Sequence, residues 1–470
     1  MRHDIPSPAG RKIPLHEKLA FSSGVITGQN SVAVLNQMLV PIYQITLGLN
    51  PLLIGTVQMI MRLWDAITDP LVAGWSDNAR TRWGRRRPFV FVGGILTALV
   101  FPLIWMPPTQ WGQNGLFAYL LVFCLVFLTC HTLFNIPYES LGIELSDDTN
   151  ERTRLYAFRG YFPPVLSLGA SWVYAFIQSD FFSSPLVGMR WVAVGLGLLM
   201  LVTVPWAAVF LRERNPQQIA AQKRIPLLKN LVSTFGNKPF LAIIVILVFA
   251  QLAKNVFDQL NLYAKIYVLY DGDTKAGALL AGWLSVVYFG VFMVSIGLGS
   301  KLAQRFSKRA VMFGAAGLTF LTGFAKLVLY NPDHPYLILL IPFLAAPTGA
   351  VASFMINAMM ADVAFYDQWR TGMRREAMFT ATAAWLGKLS FSLSGLLSGA
   401  VLVATGFDVS LAGAQSEFTK RWLIIGMVLG SCIPAVITFG ALLFYKLGPD
   451  LMEQCRREIA ARECQREMDN

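Results

Sequence analysis

The stretch 62–88, RLWDAITDPLVAGWSDNARTRWGRRRP, places three charged residues in an apolar segment and then enters an arginine-rich loop. Asp65 and Asp69 are four residues apart, so a helix stacks them on one face, and Arg62 lies one turn before Asp65. A charge near the centre of a bilayer costs about 2.5–3.5 kcal/mol on insertion scales. Three such charges on one face indicate a polar interior through which a charged species passes.

The composition of the chain predicts a polytopic membrane protein. Of its 470 residues, 55% are hydrophobic and 14% are charged, and the mean hydropathy is +0.52. A soluble domain would carry about 25% charged residues. The first 16 residues are polar and lack the apolar core of a cleavable signal peptide.

The apolar stretches predict an all-α protein with 12 membrane helices, each close to the ~20 residues that a crossing needs. Their predicted spans are 19–45, 51–76, 88–107, 116–144, 156–179, 188–211, 239–269, 277–300, 310–330, 336–364, 377–405 and 422–446. We expect two six-helix halves, 1–211 and 239–446, joined by a cytoplasmic loop at 212–238 and followed by a cytoplasmic tail at 447–470. This division is typical of transporters built from two repeated halves.

The basic residues lie mainly in alternate loops, which is a topology signal. Their distribution places both termini in the cytoplasm. The formal net charge of +12 therefore has no soluble basic domain to carry it, and nucleic-acid binding is not predicted.

Asp65 and Asp69 allow two interpretations. They can form a structural ion pair with Arg62 or with Lys388, a lysine in the apolar stretch 377–405. Alternatively, two carboxylates one helical turn apart can supply oxygen ligands to Na⁺, or hold a proton by raising each other's pKa. Pro70 follows at once and removes a helical hydrogen bond. Lys388 needs a carboxylate partner, and exchange of that partner on cation binding would couple the cation to conformation.

A second polar group comprises Asn135, Glu139 and Arg159, in HTLFNIPYESLG and LYAFRGYF. The glutamate and the arginine can simply pair with each other. They can equally bind the hydroxyl groups of a polar solute. The aromatic neighbours that would stack on such a solute are Tyr138, Tyr161 and Phe162.

The motif at 64–88 resembles the signature of the glycoside–pentoside–hexuronide/cation symporters, a branch of the major facilitator superfamily typified by the melibiose permease. The segment FNIPYESL followed by RGYF, and the segment ADVAFYDQWRTGMRREAMFTATAAWLGK, resemble later parts of the same family. The resemblance covers nearly the whole chain and implies the 12-helix major facilitator fold.

The resemblance also implies roles for single residues. Asp65 and Asp69 match the two cation-site aspartates, and Thr132 matches a hydroxyl ligand of the cation. Arg159 matches an arginine that contacts sugar. Lys388 matches a lysine close to both sites, and with Arg62 it is expected to couple them.

The solute positions depart from the family pattern. Gln29 and Asn135 stand where the melibiose permease has two sugar-anchoring aspartates, and Glu139 replaces an aromatic platform residue. With Arg159 and Lys388 retained, the pocket becomes more positive, which favours an anionic sugar such as a uronide or a sulfo-sugar. Glu139 opposes this expectation in part, unless it pairs with Arg159.

The function expected is symport of a sugar, a glycoside or an anionic sugar with Na⁺ or H⁺ by alternating access. No other cofactor or metal is expected. The loop at 80–87 is expected to act as a gate, with Asp77, Arg85 and Arg86. We expect a monomer in the bacterial inner membrane, in contact with lipids and a small solute.

The sequence bears on two other functions. A lysolipid transporter shares the motif at 64–88, so an amphipathic solute is the alternative. An enzyme is not expected, because the chain contains no HExxH, nucleophile-elbow or P-loop motif.

Overall fold

The computed structural model describes residues 13–145, 149–211, 237–372, 376–408, 411, 414–448, 450–455 and 457–459. These residues are almost entirely helical, and the one β feature that they contain is an isolated bridge between Thr81 and Gly84. The predicted all-α class is confirmed. Most of the predicted central loop (212–236) and the end of the predicted tail (460–470) lie outside the described residues.

The chain divides into two compact units, Met1–Lys223 and Arg224–Asn470. In the first unit the helices are α1 (15–46), α2 (Pro51–Asn78), α3 (Arg87–Ile104), α4 (Gln113–Glu144), α5 (Thr149–Arg159), α6 (Phe162–Ile177) and α7 (Pro185–Phe210). In the second unit they are α8 (Lys238–Val268), α9 (Thr274–Arg305), α10 (Lys308–Leu329), α11 (Pro335–Thr371), α12 (Glu376–Ala404) and α13 (Glu417–Phe444).

Nine helices of the described ranges are long and apolar enough to cross a membrane. The remaining predicted spans correspond to α1, α2 and the segment that contains α5 and α6. The segment predicted at 156–179 is wrong as a single helix, because the chain breaks at Gly160 and Tyr161. Prolines 163 and 164 follow the break, at positions where a new helix tolerates them.

Several helices begin at a residue whose side chain accepts a hydrogen bond from the first turn. Asn50 accepts from the Leu52 N–H at the start of α2, and Ser184 accepts from the Val187 N–H at the start of α7. Asp273 does the same for two N–H groups of α9. At the other end, α11 stops at Gly372, whose φ of 71° suits glycine.

Glycines allow α3 to pack closely against α4 and α7 within the first unit. A Cβ atom added at Gly93 would lie 2.6 Å from the backbone nitrogen of Phe134 on α4. A Cβ atom added at Gly197 of α7 would lie 2.8 Å from the Ala98 carbonyl oxygen of α3. Glycine at these positions lets the helix backbones approach, as is common between membrane helices.

The first long helix of each unit contains two π-helical turns. They are Ile26–Asn30 and Val40–Thr46 in α1, and Ile246–Ala250 and Ala264–Val268 in α8. Turns of this kind are frequent at functional sites because they rotate the side chains that follow. Gln29, one of the predicted solute residues, lies in the first of them.

In the second unit the chain after α13 packs back onto the helices. Residues 450–455 are helical, and the side chains of Met452, Cys455 and Ile459 are buried. The Trp369 Nε1–H group at the end of α11 donates a hydrogen bond to Glu458 Oε2 at 2.6 Å. The described part of the predicted tail is therefore attached to the end of α11.

Candidate cation and solute site

The charged face of α2 carries the residues predicted to bind the cation. Arg62 Nη1 lies 3.6 Å from Asp65 Oδ2, one helical turn away, and Arg62 Nη2 lies 3.4 Å from Asn36 Oδ1 of α1. The two charged side chains are about one-fifth exposed, at 20% and 17%. Arg62 thus connects the carboxylate face of α2 to α1.

Asp69 meets α4 across the helix interface. The Thr132 hydroxyl donates a hydrogen bond to Asp69 Oδ1 at 3.4 Å, and the Trp64 Nε1–H group donates to Thr129 Oγ1 at 2.9 Å. Thr132 is buried. The structure therefore brings Asp69 and Thr132 together, on the same side of α2 as Asp65.

The local backbone adds a further oxygen to this region. Pro70 lies inside α2 and has no N–H group, so it leaves the Ala66 carbonyl without its usual helical donor. Carboxylate, hydroxyl and carbonyl oxygens are the hard ligands that small cations such as Na⁺ prefer. The arrangement can hold a monovalent cation or a proton.

Polar side chains of α4 on either side of Thr132 lie against the first π-helical turn of α1. The His131 Nε2 atom lies 2.7 Å from the Gly28 carbonyl oxygen. A Cβ atom added at Gly28 would lie 2.7 Å from Asn135 Oδ1, so α1 approaches Asn135 closely. The neighbouring Gln29 is exposed. Gln29 and Asn135, both predicted solute residues, therefore lie on adjacent parts of the two helices.

Glu139 of α4 and Arg159 of α5 form an ion pair between helices. Arg159 Nη1 donates to Glu139 Oε2 at 2.6 Å, and Arg159 Nη2 donates to Glu139 Oε1. This contact is the bidentate arrangement in which guanidinium and carboxylate fit each other best. Of the two alternatives that the sequence left open, the structure contains the direct pair.

Aromatic rings surround the guanidinium of Arg159. Its central carbon lies 4.8 Å from the ring centre of Phe21, 5.5 Å from that of Tyr138 and 6.0 Å from that of Tyr156. Tyr161, which the sequence predicts to stack on a solute, is 75% exposed, and its role stays a prediction. Phe21 and Tyr156 were missed, although Tyr156 lies one helical turn before Arg159, which was a usable signal.

The arginine-rich loop is bound to its own unit. Arg86 is buried and its Nη2 atom lies 2.7 Å from Asp77 Oδ1, while Arg87 donates to the carbonyl oxygens of Ala208 and Val209 at the end of α7. A cation at a helix C-terminus is favoured by the helix dipole. The structure brings Asp77 and Arg86 together, and Arg85 directly precedes Arg86 in the chain.

Lys388 lies on α12 and therefore in the second unit, whereas Arg62, Asp65 and Asp69 belong to the first. Its pairing with one of those aspartates stays a prediction. The second unit has its own membrane ion pair on α8, where Lys254 Nζ lies 2.5 Å from Asp258 Oδ2.

Comparison with known proteins identifies the family. The family model described as MFS/sugar transport protein matches residues 20–449. The chain belongs to this family. The predicted resemblance and the predicted major facilitator fold are confirmed, and the protein is a multi-pass integral membrane transporter rather than an enzyme.

The chain is similar to two curated transporters in sequence and to one solved structure in fold. A candidate sulfoquinovose importer of Salmonella typhimurium is 24% identical, with 97% of this chain and 95% of that protein covered. The sodium-dependent lysophosphatidylcholine symporter 1-A of Danio rerio is 26% identical over 92% of this chain and 86% of its own length. The crystal structure of a bacterial homologue of the human lysosomal transporter Spinster covers 94% of this chain and 97% of its own, with 13% identity and a TM-score of 0.61.

Proposed function

We propose that this protein is a secondary symporter that moves a sugar, a glycoside or an anionic sugar together with Na⁺ or H⁺ by alternating access. The observation that carries the proposal is the contact between the carboxylate face of α2 and the hydroxyl of Thr132 on α4. Two carboxylates and a hydroxyl on facing helices supply the oxygen ligands that a small cation prefers. A coupling cation is the ligand that fits them.

The cation would bind at Asp65, Asp69 and Thr132. Arg62 and Lys388 would act as coupling residues, because a cation that neutralises the carboxylates also changes what these basic groups can pair with. Coupling is reciprocal, so a cation that raises the affinity for the solute is itself bound more tightly when the solute is present.

The solute would bind beside the cation, at Gln29, Asn135, Glu139, Arg159 and Lys388. Four of these residues lie in the first unit: Gln29 on the π-helical turn of α1, Asn135 and Glu139 on α4, and Arg159 at the end of α5. The candidate sulfoquinovose importer supports a sugar-type solute, since it is related over nearly the full length.

The setting of the proposed function is the bacterial inner membrane. The basic residues of alternate loops favour cytoplasmic termini. The protein would work as a monomer among lipids, and the loop with Asp77, Arg85 and Arg86 would close the cytoplasmic side during the cycle.

The proposal is tested by uptake into liposomes that contain the purified protein. The probes are radiolabelled methyl glycosides of glucose, galactose and xylose, and methyl glucuronide, each with an imposed Na⁺ or H⁺ gradient. We expect accumulation of at least one probe above its outside concentration, and loss of that accumulation in Asp65→Asn and Asp69→Asn. The control is Glu453→Gln, an exposed glutamate of the tail. Equal accumulation in the wild type and both aspartate variants would refute the assignment.

A second candidate solute is a lysolipid, because the chain is also related to the lysophosphatidylcholine symporter of Danio rerio. Uptake of lysophosphatidylcholine, with no uptake of any glycoside, would select this candidate.

A further inference from the structure

The Glu139–Arg159 pair is unequal in its access to solvent. The Arg159 side chain is 8% exposed, whereas the Glu139 side chain is 35% exposed. A charged group that faces lipid is expensive, so the exposed part of Glu139 faces water or a solute. The group that a solute can reach is therefore the carboxylate.

The surroundings of Arg159 hold its guanidinium in this buried position. Phe21 and Tyr138 are completely buried, and the guanidinium lies over both rings. The chain breaks immediately after Arg159, where α5 ends and α6 begins. Broken helices commonly form the binding sites of transporters. Arg159 thus holds the Glu139 carboxylate by hydrogen bonds from its buried side, at a break in the membrane segment.

The hydrogen bonds of Glu139 leave it able to accept more. Each of its oxygen atoms accepts one bond from Arg159, and a carboxylate oxygen has room for a second. A carboxylate accepts hydrogen bonds and donates none, so it binds hydroxyl groups and repels other anions. Within this pair the positive charge of Arg159 is already matched by Glu139.

We propose that Glu139 is the solute-facing member of this pair and that it selects uncharged, hydroxyl-bearing solutes over anionic ones. The inference rests on the proposed function and narrows its solute class to neutral sugars and glycosides. The sequence favoured an anionic sugar and expected pairing with Arg159 to remove the opposition of Glu139. The inference reverses both expectations, because the pair buries the guanidinium and leaves the carboxylate as its exposed member.

The test compares matched pairs of ligands that differ by one carboxylate. The probes are methyl glucoside with methyl glucuronide, and methyl galactoside with methyl galacturonide, and binding to the purified protein is measured by calorimetry at saturating Na⁺. We expect the wild type to bind the better neutral glycoside at least tenfold more tightly than its uronide. In Glu139→Gln the ratio should fall by about tenfold or more, because Arg159 is released to meet the anion.

Two further variants keep this test decisive. Glu139→Asp retains the charge and should retain the preference for the neutral glycoside, and Glu453→Gln makes the same chemical change in the exposed tail without altering the ratio. Equal or tighter binding of the uronide by the wild type would overturn the inference while leaving sugar symport intact. If none of these four ligands binds and no probe of the liposome assay is accumulated, the proposed function fails as well.

Discussion

The ion pair Glu139–Arg159 and the ion pair Lys254–Asp258 differ in how they are built. Glu139 and Arg159 lie on separate helices of the first unit, and the arginine is buried among aromatic rings. Lys254 and Asp258 lie one turn apart on the single helix α8 of the second unit, and their side chains are 54% and 50% exposed. The first pair joins two helices, whereas the second neutralises two charges on one helix.

This difference decides what each pair can do. A pair between helices with one buried partner transmits a change at its exposed partner to the neighbouring helix. A pair within one helix, with both side chains half exposed, joins no second helix and transmits little to its neighbours. If the proposed function holds, the solute response belongs to the first pair, and variants of the pairs should differ in size of effect.

The largest effect is expected for Glu139→Ala. Its loss leaves the buried Arg159 charge without a partner, and breaking a buried pair in this way costs roughly 3–5 kcal/mol. Denaturant titration in mixed micelles measures the change in the free energy of unfolding. Arg159→Met is the comparison, and it should cost less, because Glu139 is partly exposed and can be hydrated. A smaller loss for Glu139→Ala than for Arg159→Met would contradict the unequal burial.

An intermediate effect is expected for Asp362→Asn, which weakens a pair between helices in the second unit. Lys308 Nζ of α10 donates to both carboxylate oxygens of Asp362 on α11, at 2.8 Å and 2.7 Å. Lys308 is partly exposed, so the loss should be about 1.5–3 kcal/mol, as for a charged hydrogen bond. The same unfolding measurement tests it. A loss as large as that of Glu139→Ala would show that burial of the remaining charge does not set the size of the effect.

The smallest effect is expected for the pair on α8. A double-mutant cycle with Lys254→Met and Asp258→Asn should give a coupling energy of about 0.3–0.5 kcal/mol, the value for exposed pairs at this spacing. A coupling energy above about 2 kcal/mol, beyond the range of exposed pairs, would show that the two charges interact in a dry environment.

Much of the fold could be predicted because apolar length and charge in loops are local properties of the sequence. Every predicted span except 156–179 corresponds to one helical segment, and the predicted 51–76 lies within Pro51–Asn78. The break at Gly160 was missed, although a glycine followed by Pro163 and Pro164 signals one. The π-helical turns of α1 and α8 could not be found, because their apolar pattern is also compatible with an α-helix.

The site could be predicted only as far as single helices allow. The spacing of Asp65 and Asp69 fixes their common face, because a helix has a fixed period. The partner of Arg159 depends on how α4 and α5 rotate against each other, which no local pattern specifies. For this reason the sequence left pairing and solute binding open at Glu139, and it did not find Phe21.

The central claim, that the carboxylates of α2 couple a cation to the solute, is tested most directly by reciprocal binding. Calorimetry measures the affinity of the neutral methyl glycoside that binds best, at several Na⁺ concentrations and pH values, for the wild type and Asp69→Asn. The account predicts that Na⁺ or protonation raises the affinity of the wild type about fivefold or more, as coupling energies of 1–3 kcal/mol imply, and has no such effect on the variant. The same increase in both proteins would contradict it.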